Sequence, residues 1–216
     1  MSQRRAHGFS LIEVLLAVSL LAAGLALAFA TLRSATAMVQ RGESISARNE
    51  GMRAVDSFLR RRIGAAQPIA FATDPRSLRQ YRFLGEPQRM RFVADLPDYL
   101  GRGGPYLHDL SVAKGGTRLD VAFDMVQAGH SIGEPGAALP EPLARDLQAV
   151  RFHYRGLDEE GRLGPWRDRW LAAEALPLQV QVEVFPQRGQ PWPPLVVSLA
   201  HGSGWDGAAA DMAPLP

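Results

Sequence analysis

The stretch GFSLIEVLLAV, residues 8–18, places one carboxylate in an otherwise apolar run that continues to Leu32. From Phe9 to Leu32 the only charged side chain is Glu13. At 1.5 Å per residue a helix over this span is about 36 Å long, enough to cross a hydrocarbon core of about 30 Å. A charged residue at the centre of such a helix costs about 2.5–3.5 kcal/mol on translocon scales. A plain anchor or export signal gains nothing from Glu13, so the carboxylate requires a reason of its own. Arg4 and Arg5 precede the run, which predicts a cytoplasmic N-terminus and sends the rest of the chain outward.

Three readings of this segment compete. A secretory signal would be cut at a small-x-small site, and Ala26-Leu27-Ala28 and Ala28-Phe29-Ala30 both qualify. An uncleaved signal anchor would simply hold an exported domain. Both leave Glu13 unexplained. Taken as one unit, HGFSLIEVLLAV resembles the class III signal of type IV pilins and type II secretion pseudopilins: a short basic leader ending in Gly, then Phe, then an apolar helix with Glu at its fifth position. The resemblance implies cleavage by a prepilin peptidase between Gly8 and Phe9 and methylation of the new amine on Phe9. It also implies that the helix is retained, first in the membrane and later in a filament core. The new α-amine at Phe9 of one subunit can then pair with Glu13 of its neighbour. A buried charge is tolerable when paired and costly when alone. On this reading Glu13 is an assembly residue.

The helical pattern continues past the apolar run. Met38, Ile45, Met52, Val55, Leu59 and Ile63 recur at spacings that draw one apolar stripe on a 3.6-residue helix, while Arg33, Arg41, Glu43, Arg48 and Arg53 occupy other faces. Met38, Ile45, Met52, Val55 and Leu59 are expected to pack the helix. Gly24, Gly42 and Gly51 are soft points, and Gly64 with Pro68 marks the stop, so one helix is expected over about residues 10–63. Arg60–Arg62 complements the dipole at a helix C-terminus and has no aromatic platform beside it, so no nucleic acid is expected.

After Pro68 the period changes from 3.6 to 2. Leu119, Val121, Phe123 and Met125 alternate with polar or small residues, as do Val150, Phe152 and Tyr154, and Leu178, Val180, Val182 and Val184. A short strand is expected over 194–200, with weaker candidates at 81–84, 89–93 and 106–112. Alternation of this kind predicts antiparallel strands with one buried face. AGHSIGEPGAALPEP reads as a long loop, LDEEGRLGPW as a hairpin connection with an acidic tip, and HGSGWDGAAADMAPLP as a disordered tail.

The composition excludes several chemistries. There is no cysteine, so no disulfide, thiolate metal site or cysteine nucleophile. The formal charge is +2, from 24 basic and 22 acidic residues, and removing Arg4 and Arg5 with the leader leaves 22 against 22. The five histidines, His7, His108, His130, His153 and His201, form no metal-spaced pair, and neither a P-loop nor a G-x-S-x-G elbow is present. Ser203 lies in a low-complexity tail. Asp95 with Asp98, and Asp158 with Glu159 and Glu160, read as solvated turn carboxylates rather than calcium ligands. No catalytic, cofactor-binding or metal-binding residue is assigned and no cofactor is expected.

The order of a strand with Phe152 and Tyr154, a Gly turn, a segment with Trp166 and Trp170, and a Leu-Pro-initiated strand resembles the J-type minor pseudopilins of type II secretion. That resemblance implies a pilin-like α+β fold and a non-enzymatic role at the pseudopilus tip. Its implied partners are the I-, K- and H-type minor pseudopilins, the major pseudopilin and the prepilin peptidase. The implied location is the inner membrane, single-pass, with a periplasmic head. The corresponding organisation is a leader at 1–8, a transmembrane or filament helix at 9–32, its amphipathic extension at 33–64, a β-rich head at 65–200 and a tail at 201–216. The tail after Trp205 and the long loop at 129–142 depart from the family pattern. A minor pilin of a type IV pilus is the alternative within the same fold, although many of those carry a C-terminal disulfide. An exported periplasmic enzyme or binding module is the alternative of another class, and a cleft with converging polar groups would favour it.

Overall fold

The computed structural model describes residues 10–96, 103–132 and 139–202. Gly8, Phe9, Asp98, Ser203 and most of the expected disordered tail lie outside the described residues. The first element is helix α1, Leu11–Gly64, unbroken at Gly24, Gly42 and Gly51. Among the described residues eleven strands follow: β1 Ala72–Thr73, β2 Gln80–Tyr81, β3 Phe83–Gly85, β4 Arg89–Leu96, β5 Gly104–Val112, β6 Leu119–Gln127, β7 His130–Ile132, β8 Glu141–Ala144, β9 Leu147–Arg155, β10 Gln179–Pro186 and β11 Leu195–Ser198. The chain divides into two compact units, Met1–Glu50 and Gly51–Pro216.

In the first unit the helix is apolar along its early turns and those side chains are exposed, among them Leu11, Ile12, Leu16, Leu20, Leu27 and Phe29. No partner among the described residues covers them. The second unit contains the end of α1 and all the strands. Every strand pairing among the described residues is antiparallel. The large sheet runs β3-β4-β5-β6-β7, with β8 also paired to β6, and a smaller sheet runs β11-β10-β9. Val55, Leu59 and Ile63 of α1 enter one core with Met90 and Phe92 of the large sheet and Phe152, Val180 and Val182 of the small one. Each fully buried Leu or Ile contributes about 1.5–3 kcal/mol by leaving water, which is why the amphipathic end of α1 belongs to the head.

Three expectations are corrected. The large sheet is covered on both faces over part of its area, because Phe71 packs with Val93, Leu107 and Val126 on the side opposite Phe92. On the same strand as Val126, Asp120 is also buried, with its Oδ1 2.6 Å from Arg118 Nε. The long loop also contains strands. β7 pairs with β6 through a turn at Ala128 and Gly129, both left-handed (φ 51° and 81°), and β8 pairs with the opposite end of β6 despite Pro142. The helical stripe is not uniform either. Val55 and Leu59 are 8% and 1% exposed and Met52 is half-buried, whereas Met38 and Ile45 are 69% and 56% exposed. Among the described residues, Met38 and Ile45 are thus left largely exposed.

Candidate functional site

The first turn of α1 is built by its own sequence. Ser10 precedes the helix, and the backbone N–H of Glu13 donates to the Ser10 carbonyl oxygen (3.1 Å) and to its Oγ (3.3 Å). Ser10-Leu11-Ile12-Glu13 is an S-x-x-E pattern in which the hydroxyl satisfies an N–H that would otherwise have no acceptor at the helix start. Ser10 is the residue that the sequence reading missed, and this short pattern was the available signal. The Glu13 carboxylate is exposed and has no hydrogen-bond or ion-pair partner among the described residues. An acceptor-only group placed just inside a helix N-terminus is favoured by the dipole but is left free to meet a cation from elsewhere. Behind it lies the one helix among the described residues that is long and apolar enough to cross a membrane, with none of its most apolar window buried within the chain.

Among its described residues the head holds no comparable arrangement of reactive groups. His108 is fully buried between Phe92 (ring centroids 5.3 Å) and Phe123 (4.9 Å), with Nδ1 3.0 Å from the Tyr106 carbonyl oxygen. Burial pushes this imidazole down to about 4 against the opposing Tyr106 contact, and the nearby Arg62 charge lowers it further. His153 is partly exposed and lies between two carboxylates, with Nδ1 2.8 Å from Asp168 and Nε2 3.5 Å from Glu183. Because the two carboxylates approach opposite ring nitrogens, they cannot share one ion with the ring. Asp158 accepts from the backbone N–H of Arg162 at 2.7 Å and Glu160 pairs with the Arg162 guanidinium, so the acidic tip is a turn brace. Asp95 accepts from Gln67 Nε2. Among the described residues no three His, Asp or Glu side chains are grouped to hold a metal ion.

The two tryptophans divide in role. Trp170 is buried, and its Nε1 donates to the carbonyl oxygens of Ala172 (2.9 Å) and Ala175 (2.8 Å). It packs against Gly85, where an added Cβ would stand 2.8 Å from both the Trp170 Cβ and the Tyr154 ring. Trp166 is half-buried under the Arg155 guanidinium, 4.3 Å from its ring centroid. Tyr154 donates its hydroxyl to the Glu86 carbonyl oxygen (2.8 Å), and burial raises its ionisation well above the ordinary phenol range. A cavity of about 260 Å³ lies between the last turns of α1 and the small sheet. Its floor is aliphatic, with Val55, Leu59, Val182 and Val184, and Trp192 forms one side. Arg53 and Asp56 are its charged rim, which is not a set of converging polar groups.

Residues 3–29 match the model described as the prokaryotic N-terminal methylation motif, a span that includes Gly8, Phe9 and Glu13. Over 209 residues the chain is 55% identical to the type II secretion system protein J of Xanthomonas campestris pv. campestris, covering 95% of this chain and 98% of that protein.

Proposed function

The chain belongs to the type II secretion system protein J family, and from that premise we propose how its N-terminal segment and head serve a minor pseudopilin. It is a minor pseudopilin of a type II secretion system with an apolar N-terminal helix that serves as a membrane anchor. The mature chain begins at Phe9 after cleavage behind Gly8, and the Phe9 amine is methylated. Residues 9–32 hold the chain in the inner membrane, residues 33–64 extend the helix, and the head at 65–200 stands in the periplasm. The role is structural rather than catalytic: the chain joins the I-, K- and H-type minor pseudopilins and the major pseudopilin at the pseudopilus tip.

The observation that carries this reading is the exposed Glu13 carboxylate, without a partner among the described residues, at the head of an exposed apolar helix. In hydrocarbon that carboxylate destabilises the lone subunit, and pairing with the Phe9 amine of a neighbour offsets the cost. Leaving the membrane for the filament is favoured to the same degree, and the pairing sets the helix register. The exposed Met38 and Ile45 continue the stripe and supply helix-to-helix packing in the filament, while Val55 and Leu59 serve the head. The test is Glu13→Ala in the native host. Processing should be intact, while capture of the other minor pseudopilins and secretion of the exported proteins should both fall. A variant that secretes and captures its partners normally would refute the role given to Glu13.

A further inference from the structure

We propose that the aliphatic cavity between α1 and the small sheet is a docking site for this chain's own C-terminal segment, residues 203–216. This inference is independent of the secretion role. The cavity, about 260 Å³, falls below the roughly 300–1,000 Å³ of small-molecule pockets, so it suits one or two apolar side chains. Its floor residues are buried against each other, but the space above them is open beside Trp192.

The course of the chain places the segment close by. After β11 the Leu199 N–H donates to the Leu178 carbonyl oxygen at 3.0 Å and the Ala200 N–H to the Gly64 carbonyl oxygen at 3.2 Å. The chain is thus tied to the end of α1 and the start of β10, two of the elements that line the cavity. Gly202 fits there because it lacks a side chain; a Cβ would meet the Pro177 carbonyl oxygen at 2.6 Å. From Gly64 back to Leu59 and Met52 the distance along the helix is about 8–18 Å. Fourteen further residues span up to about 46–50 Å. A tether of this length gives an effective concentration of order millimolar, which no free partner matches without strong affinity of its own.

The chemistry is complementary. The segment supplies Trp205, Met212 and Leu215 as apolar anchors and Asp206 and Asp211 as its only charged side chains. The rim offers Arg53, which has no ion pair among the described residues, while Asp56 is engaged by Arg60 at 3.6 Å. An acidic, Trp- and Met-bearing segment therefore meets Arg53, unpaired among the described residues, over an aliphatic floor.

The test uses the full chain in non-ionic detergent with a benzophenone amino acid replacing Met212 or, separately, Trp205. Mass spectrometry should find cross-links within one chain to the Met52–Leu59 or Val182–Val184 peptides, and Arg53→Glu should reduce them. Hydrogen exchange provides a second readout: a chain ending at Gly202 should exchange about tenfold or more faster over Met52–Leu59 than the full chain. Cross-links scattered over the surface, or formed only between two chains, would overturn the proposal, the latter assigning the cavity to a second copy. Unchanged exchange on truncation would overturn it as well.

Discussion

Acidification should destabilise the head through one side chain, His108. The ring has no exposed surface and lies against Phe92 and Phe123, and its Nε2 has no hydrogen-bond partner among the described residues. Because the Tyr106 carbonyl oxygen can only accept, the hydrogen-bond geometry assigns the proton to Nδ1 and leaves the lone pair on Nε2. Burial pushes the folded ring from 6.5 down to about 4, with Arg62 adding to the effect. Between those values the unfolded chain binds a proton that the folded chain does not. This contribution to stability is therefore fully present above about pH 6.5 and is lost as the pH falls toward about 4. The gap of roughly 2.5 units, at about 1.4 kcal/mol each, corresponds to about 3 kcal/mol. Urea unfolding of the full chain in non-ionic detergent, followed by tryptophan fluorescence, reports on the head, because all four tryptophans lie at or after residue 166. His108→Phe fills the same aromatic slot and cannot titrate. From about pH 7 to about pH 4 the wild-type chain should lose about 3 kcal/mol more than this variant. Parallel losses in the two proteins would refute the argument, since the pH dependence would then arise elsewhere.

Other substitutions test the packing and the processing. Gly85→Ala forces a Cβ to within 2.8 Å of the Trp170 Cβ and the Tyr154 ring, and should destabilise the head by about 1–3 kcal/mol in the same urea assay. Tyr154→Phe removes the bond to the Glu86 carbonyl oxygen and should cost about 0.5–1.5 kcal/mol. Leu59→Ala should cost about 2–5 kcal/mol of head stability, whereas Ile45→Ala, at an exposed position, should leave that stability within about 0.5 kcal/mol. A bulky residue replacing Gly8 should block processing, visible as accumulation of the longer, unmethylated chain on immunoblots and by intact mass.

The long helix and the main strands were legible because their periods, 3.6 and 2, persist over many residues. What the period cannot report is which part of a stripe its own chain covers. Met38 and Ile45 have the same chemistry as Val55 and Leu59, and only tertiary structure separates the exposed pair from the buried one. The same limit hid the second face of the large sheet, where Val93 and Val126 meet Phe71 although alternation had assigned one face to solvent. β7 escaped notice because its turn uses Ala128 in a left-handed conformation that Asn or Gly would normally advertise, and β8 because Pro142 argues against a strand except at an edge. His108 looked like any strand histidine until both sides of it were covered. At the N-terminus the S-x-x-E pattern of Ser10 and Glu13 was readable, and the larger question of the carboxylate's charge obscured it.

The central claim is that Glu13 belongs to a processed, retained helix, and the mature N-terminus tests it most directly. Intact mass and N-terminal peptide sequencing of the chain from the inner-membrane fraction of the native host should give a protein that starts at N-methylated Phe9. A chain that starts at Phe29 or Thr31, or that retains Met1, would contradict the account and leave Glu13 without a function.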